Sequence, residues 1–316
     1  MYIYNMYYTH ILPNKVQLSS GTSTVEIWPM EGAIINSWLF QHEGTAVPVI
    51  TGYADVNDFA RHAESKGFRS CKLSPYVCRL NQGHYSFDEA AFDIGKFKLN
   101  GSSLHGLLYD VPFEVISHES NDHLAMVVLK HSYEGSDKGY PFAYDMVVTY
   151  TLSNQNRLTL HTQVTNQHNA HIPIADGWHP YFSLNAPVND LHLQLSSNTM
   201  LEFDADLIPT GKLLEDTRFA AGAVLGSTQL DNCFLLTRAS EQPACTLTNQ
   251  AAGLQLKIFS EENYPYLQLY IPPQRNCIAI ENLSAAPDAF NNQMGLIVLE
   301  PGESIGFSAA YEIAAV

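Results

Sequence analysis

Along most of this chain, apolar residues recur at every second position, the period of a strand with one buried face. In residues 157–165, Leu158, Leu160 and Val164 share one face while Thr159 and His161 take the other. Leu254, Leu256 and Ile258 alternate in the same way. So do Leu267, Leu269 and Ile271, and finally Ile305, Phe307, Ala309, Tyr311 and Ile313. Residues 124–131 and 142–152 are also strand-like, and residues 24–28 pair with 33–40 across the turn Pro29 to Gly32. Turns are marked by Ser153-Asn154-Gln155-Asn156, Pro209-Thr210-Gly211 and Pro301-Gly302-Glu303. The best helical window, residues 55–66, is short and polar, and there is no βαβ rhythm. The pattern predicts an all-β fold, a large antiparallel β-sandwich.

No shift in composition and no repeat divides the 316 residues, which a single all-β domain can accommodate. Residues 16–316 are therefore expected to form one domain. Residues 1–15, with Tyr2, Tyr4, Tyr7 and Tyr8, are expected as an appended arm lying on the sheet or on a partner subunit of a homodimer; otherwise the chain is a monomer. The 32 acidic residues outnumber the 16 lysines and arginines, a net charge of −16 that disfavours a nucleic-acid partner. Cys71, Cys78, Cys233, Cys245 and Cys277 are odd in number and include no C-x-x-C, which argues against a disulfide framework and a thiolate zinc site. Reduced thiols, the lack of a signal-peptide pattern and the lack of a membrane-spanning apolar run lead to the expectation of a cytoplasmic protein.

Five short segments hold candidate chemistry, and each also has a structural reading. In Asp176-Gly177-Trp178-His179-Pro180-Tyr181-Phe182, Trp178 and His179 suit the wall and the acid of a small-molecule pocket. An imidazole exchanges protons near neutral pH. The same residues also suit a core with a capped strand end. Arg79 offers a fork of donors for hydroxyls or a carboxylate, or is a surface arginine. His105, before Gly106, sits where a backbone can approach closely, or is a satisfied core histidine. Asp231-Asn232 can hold paired hydroxyls, or make a turn. Glu281 ends the apolar run 277–280, where desolvation would raise its pKa and strengthen it as a base, unless it is solvated. His161, His168, His171 and His179 match no metal-ligand spacing, and the G-x-S-x-G of an α/β hydrolase is missing.

Taken together and in order, these segments resemble the aldose 1-epimerase (galactose mutarotase) family, from about residue 16 to the C-terminus. The resemblance rests on Arg79 in Pro75-Tyr76-Val77-Cys78-Arg79-Leu80, His105 in Leu104-His105-Gly106, and His179 in Gly177-Trp178-His179-Pro180-Tyr181-Phe182. It also rests on Asp231 in Leu230-Asp231-Asn232-Cys233-Phe234, on Glu281 followed by Pro287-Asp288-Ala289, and on the pair Gly32-Ala33. It implies a mutarotase-like supersandwich with its site in a groove across one sheet. It further implies interconversion of the α and β anomers of a free aldose, a monosaccharide, with no metal, nucleotide or redox cofactor. Glu281 would be the general base that takes the proton from the anomeric hydroxyl, and His179 the general acid that protonates the ring oxygen. Arg79, His105 and Asp231 would hold hydroxyls, with Trp178 stacking or shaping the wall. Such positioned proton transfer is worth about 10²–10⁴-fold per group. An ionised Glu281 would also favour a charged His179. Cys78 stands where the family usually has asparagine, and Ser74-Pro75 where glycine and a basic residue are common. The acidic chain and its few arginines near Arg79 lead to the expectation of a neutral hexose. A non-catalytic sugar-binding protein on the same fold is the alternative; it would use Trp178 and Asp231 but need neither Glu281 nor His179 to titrate.

Overall fold

The structure, a computed structural model, describes residues 6–237 and 242–316. Two large antiparallel sheets face each other. The first runs in the order Tyr8–Leu12, Lys15–Ser19, Ser23–Trp28, Ile34–His42, Thr45–Thr51, Tyr181–Phe182, Ile278–Leu283, Tyr266–Tyr270, Asp231–Leu235, Thr199–Phe203 and Pro209–Glu215. The short strands Gly177–Trp178 and Lys72–Leu73 join it beside Ile278–Leu283. The second sheet runs Glu114–Ser120, Leu124–Tyr133, Tyr144–Ser153, Arg157–Asn166, Ser304–Ala315, Leu254–Ser260, Cys245–Asn249, His192–Leu195 and Ala223–Val224.

Alternation decides which face each strand buries. In Arg157–Asn166, Leu158, Leu160 and Val164 point into the core, and the paired strand Ser304–Ala315 buries Phe307, Ala309, Tyr311 and Ile313. Val25, Ile27 and Trp38 of the first sheet belong to the same apolar cluster as Val127, Val148 and Tyr150 of the second, which is the sandwich core.

The helical window forms one short helix, Val56–His62, whose N-cap Asp55 accepts a hydrogen bond from the Asp58 amide. Phe59 anchors it in a satellite cluster with Tyr53, Phe68 and Tyr109. No helix among the described residues is long and apolar enough to cross a membrane.

Of the expected arm, residues 1–5, with Tyr2 and Tyr4, lie outside the described residues, and the part that is described joins the sheet. Tyr8–Leu12 is an edge strand of the larger sheet, in hairpin register with Lys15–Ser19 from Tyr8↔Ser19 to Leu12↔Lys15. Tyr7 is buried and its hydroxyl donates to Asn154 Oδ1 at 3.2 Å. The strand was illegible as such because it is largely solvated on both faces, so its sequence lacks alternation. The Pro13-Asn14 turn was the available signal.

Candidate active site

Glu281 lies on Ile278–Leu283, in the middle of the larger sheet. Ile278 and Ile280 enter the sandwich core, so period-two geometry sends Glu281 to the outer face. An outward carboxylate would normally be wet. Here Glu281 is only 2% exposed, because the outer face is roofed by segments around residues 64–79 and 97–105. Together they enclose a cavity of about 760 Å³.

The roof is fixed by backbone bonds. Leu104 pairs with Arg79 in a small sheet, and the His105 amide donates to the Cys78 carbonyl at 2.9 Å. The Asp288 amide donates to the Arg79 carbonyl at 2.7 Å. Gly106, at φ +78°, packs so closely on Ser74 that a Cβ would stand 2.2 Å from the Ser74 carbonyl oxygen. The residue next to His105 therefore has to be glycine.

His179 enters from the neighbouring segment. Its amide donates to the Cys71 carbonyl at 3.1 Å and its carbonyl accepts from the Ser70 amide at 2.9 Å. Its ring stacks on Tyr181, with centroids 5.1 Å apart and planes 13° from parallel. This orients Nε2 to 3.3 Å from Glu281 Oε1. His105 meets His179 edge-on at 4.9 Å and packs on Phe68 at 4.6 Å. Both histidines leave a buried Nδ1 without a partner. On the other side of Glu281 its register partner Gln268 donates from Nε2 to Asp231 Oδ1 at 2.8 Å. Gln268 Oε1 is buried and unpartnered. Arg79 completes the same cavity.

Burial dominates the protonation of this pair. It pushes the Glu281 carboxyl well above its ordinary value, with the nearby Asp231 charge adding to the effect and the Cys78 thiol, 3.8 Å from Oε2, weakly opposing it. Burial pushes His179 down to about 4. Desolvation thus favours the uncharged form of both groups, acting against the charged His179 that an ionised Glu281 would favour. Burial also holds His105 well below its ordinary value, with His179 and Arg79 acting the same way.

Of the six residues singled out in the sequence, Glu281, His179, Arg79, His105 and Asp231 line one cavity. Trp178 does not. It is 1% exposed, set edge-on to Tyr150 of the opposite sheet, with Lys72 Nζ 4.2 Å from the centre of its ring. Neighbours on extended backbone point to opposite faces, so placing His179 in the cavity puts Trp178 in the core. Sequence reasoning did not assign Gln268, Cys78 or Arg69 to the site. Gln268 had a signal, since it is the one polar residue among Leu267, Leu269 and the flanking tyrosines of its strand. Among the described residues, no group of three or more His, Cys, Asp or Glu side chains is arranged to hold a metal ion.

Residues 14–312 match the family model described as Aldose 1-epimerase. The chain belongs to that family. It is 21% identical to the aldose 1-epimerase of Streptococcus thermophilus, over 95% of this chain and 94% of that protein. It is 22% identical to a maltose epimerase of Levilactobacillus brevis, over 87% and 93%. The fold matches the crystal structure of a galactose mutarotase-like protein from Clostridium acetobutylicum, with a TM-score of 0.85, 15% identity and 99% of both chains covered. Membership of the aldose 1-epimerase family, with this fold, supports interconversion of sugar anomers in general.

Proposed function

We propose that this protein interconverts the α and β anomers of a free, neutral aldose, with Glu281 as general base and His179 as general acid. The observation that carries the reading is the buried pair itself: His179 Nε2 and Glu281 Oε1, 3.3 Å apart on the floor of a cavity whose other polar groups have bonding capacity to spare. Glu281 takes the proton from the anomeric hydroxyl O1 while His179 delivers one to the ring oxygen O5. The C1–O5 bond breaks, its electron pair goes to O5, and C1=O1 forms. Rotation about the C1–C2 bond and the reverse transfers close the ring on the other face. Arg79, His105, Asp231 and Gln268 hold hydroxyls and fix the ring against the pair.

Burial shifts the two groups in the direction of a protonated Glu281 and a neutral His179, the state the pair reaches after ring opening. The site is thus pre-set for the open-chain intermediate rather than for the closed ring, which is where catalytic stabilisation is useful. The test is polarimetry on freshly dissolved α-glucose and α-galactose. Equilibration should be faster with the protein. Glu281→Gln and His179→Asn should each lower the rate about 100-fold or more with the fold intact. Near-normal rates in Glu281→Gln would overturn the assignment.

A further inference from the structure

Arg79 lines the cavity, and its charge is felt at His105, Asp231 and Cys78. Among the described residues its guanidinium has no hydrogen-bond or ion-pair partner. Asp231 is held by Gln268 instead, and Glu281 meets His179. A side chain without a partner of its own is aimed by its backbone. Whatever fixes residues 79–81 therefore decides where the guanidinium points.

On one side that backbone is held by the strand Ser102–Leu104, in which Leu104 pairs with Arg79 and Ser103 with Leu80. On the other side it is held by a single residue, Asp288. The Asp288 amide donates to the Arg79 carbonyl at 2.7 Å, and Asp288 Oδ1 accepts from the Asn81 amide at 2.8 Å. The two bonds bracket Leu80, so they oppose both a slide and a twist of the segment. The same Oδ1 accepts from Asn291 Nδ2 at 2.8 Å, and that nitrogen also donates to the His84 carbonyl at 2.9 Å. Asp288 is 5% exposed. Without its carboxylate the Asn81 amide loses its acceptor, a penalty that a shift of the segment would relieve.

Asp288 makes these bonds from a backbone conformation that few side chains accept. Its φ is +62°, in the left-handed region where glycine, asparagine and aspartate are tolerated best. It stands in the segment that leaves the strand of Glu281, and its predecessor Pro287 lines the cavity. The contact thus joins the part of the chain that carries Glu281 to the part that carries Arg79.

We infer that Asp288 is a positioning residue, whose carboxylate holds the 79–81 segment so that Arg79 meets a sugar hydroxyl in a fixed relation to Glu281. The inference rests on the reaction proposed above and on the place of Arg79 in it. Asp288 touches no reacting atom and acts through Arg79 alone.

The experiment is polarimetry on glucose or galactose, whichever the parent protein turns over faster. Asp288→Gly removes the carboxylate and still suits the left-handed backbone; it should lower kcat/KM about 10-fold, mainly through a higher KM. Asp288→Asn keeps an oxygen for both donors and should stay within about 2-fold of the parent. In an Arg79→Met background no guanidinium is left to aim, so Asp288→Gly should cost less than about 2-fold more. A glycine variant as active as the parent overturns the inference and leaves the proposed reaction standing. So does a loss of about 10-fold that persists in the Arg79→Met background, the mark of a merely structural turn. An asparagine variant as impaired as the glycine variant has the same consequence. Normal turnover and KM in Arg79→Met overturn the role of Arg79 and this inference with it. A parent that accelerates no sugar overturns the reaction as well.

Discussion

Two pairs of ionisable groups are buried on the same few strands, and they are built for opposite ends. Lys72 and Asp176 lie between the sheets, fully buried, with Nζ 2.5 Å from Oδ1. Lys72 is the register partner of Trp178, and Asp176 is three residues before His179. The ammonium also donates to Thr162 Oγ1 at 3.2 Å and the Gly177 carbonyl at 3.3 Å, and packs on the Trp178 ring. Asp176 Oδ1 accepts a second bond from the Tyr264 hydroxyl at 2.6 Å. Glu281 and His179, on the outer face, have a long contact, two unpartnered histidine nitrogens nearby and, among the described residues, no lysine or arginine within salt-bridge distance of the carboxylate. Burial drives both pairs toward neutrality. Lys72 falls only to about 8, because Asp176 opposes the desolvation, so it stays charged at neutral pH. The inner pair uses up its ammonium's donors on the protein, whereas the outer pair keeps donors and acceptors for a visitor. Depth of burial alone does not tell the two apart, nor does spare bonding capacity, since Asp176 Oδ2 is also unpartnered; what separates them is that only Glu281 and His179 line the cavity.

The contrast breaks most visibly if activity and stability fail together. Glu281→Gln should cost about 100-fold or more in kcat with little change in melting temperature, since it replaces a poorly satisfied buried carboxyl with an amide of the same shape. Lys72→Met should instead cost about 3–5 kcal/mol of stability, read by denaturant unfolding, because it strands Asp176. The double variant Lys72→Met/Asp176→Leu should recover most of that loss and turn over sugar within a few-fold of the parent. A double variant that folds well but is inactive would mean the inner pair takes part in catalysis.

The outer pair also sets a pH signature. If the pair works with one proton, kcat/KM should hold from neutrality down to about pH 4, where the depressed His179 gains a second proton, rather than falling near 6.5. A fall near 6.5 would refute the buried, neutral imidazole. Linkage gives the matching sign for stability. Between about 6.5 and 4 the unfolded chain binds more protons at this histidine than the folded one does, so stability should decline as pH drops through that window. The smallest effect is expected at Cys78. Cys78→Ser puts a better donor beside Glu281 Oε2, which should favour the carboxylate and move the alkaline limb of the profile down, by about one unit or less. A limb that moves up would show that the thiol is not the donor.

The architecture was legible because alternation over Arg157–Asn166 and Ser304–Ala315 has one physical solution, a half-buried strand, and a slip of one residue would expose every apolar side chain. The polar members of the site were legible where they interrupted apolar runs, as Glu281 does after Ile280. Trp178 was misplaced because it adjoins His179, which lines the cavity, and neighbours on extended backbone point to opposite faces. Lys72 gave no signal at all: a lysine reads as surface, and only the meeting of distant segments at Asp176, Thr162 and Tyr264 makes a buried one tolerable. The reach of the cavity was equally hidden, since strands adjacent in the sheet, such as Thr199–Phe203 and Asp231–Leu235, are far apart in the chain.

The main-chain clamp on His179, between the Cys71 carbonyl and the Ser70 amide, ties its ring to the same hydrogen-bonded lattice that carries Glu281. No hinge has to close to assemble the pair, and nothing short of dismantling the sheet takes it apart. Amides around His179 and Glu281 should therefore be among the last to exchange with deuterium. On warming, turnover should then persist until the molecule as a whole melts, so that catalysis doubles as a thermometer of global unfolding.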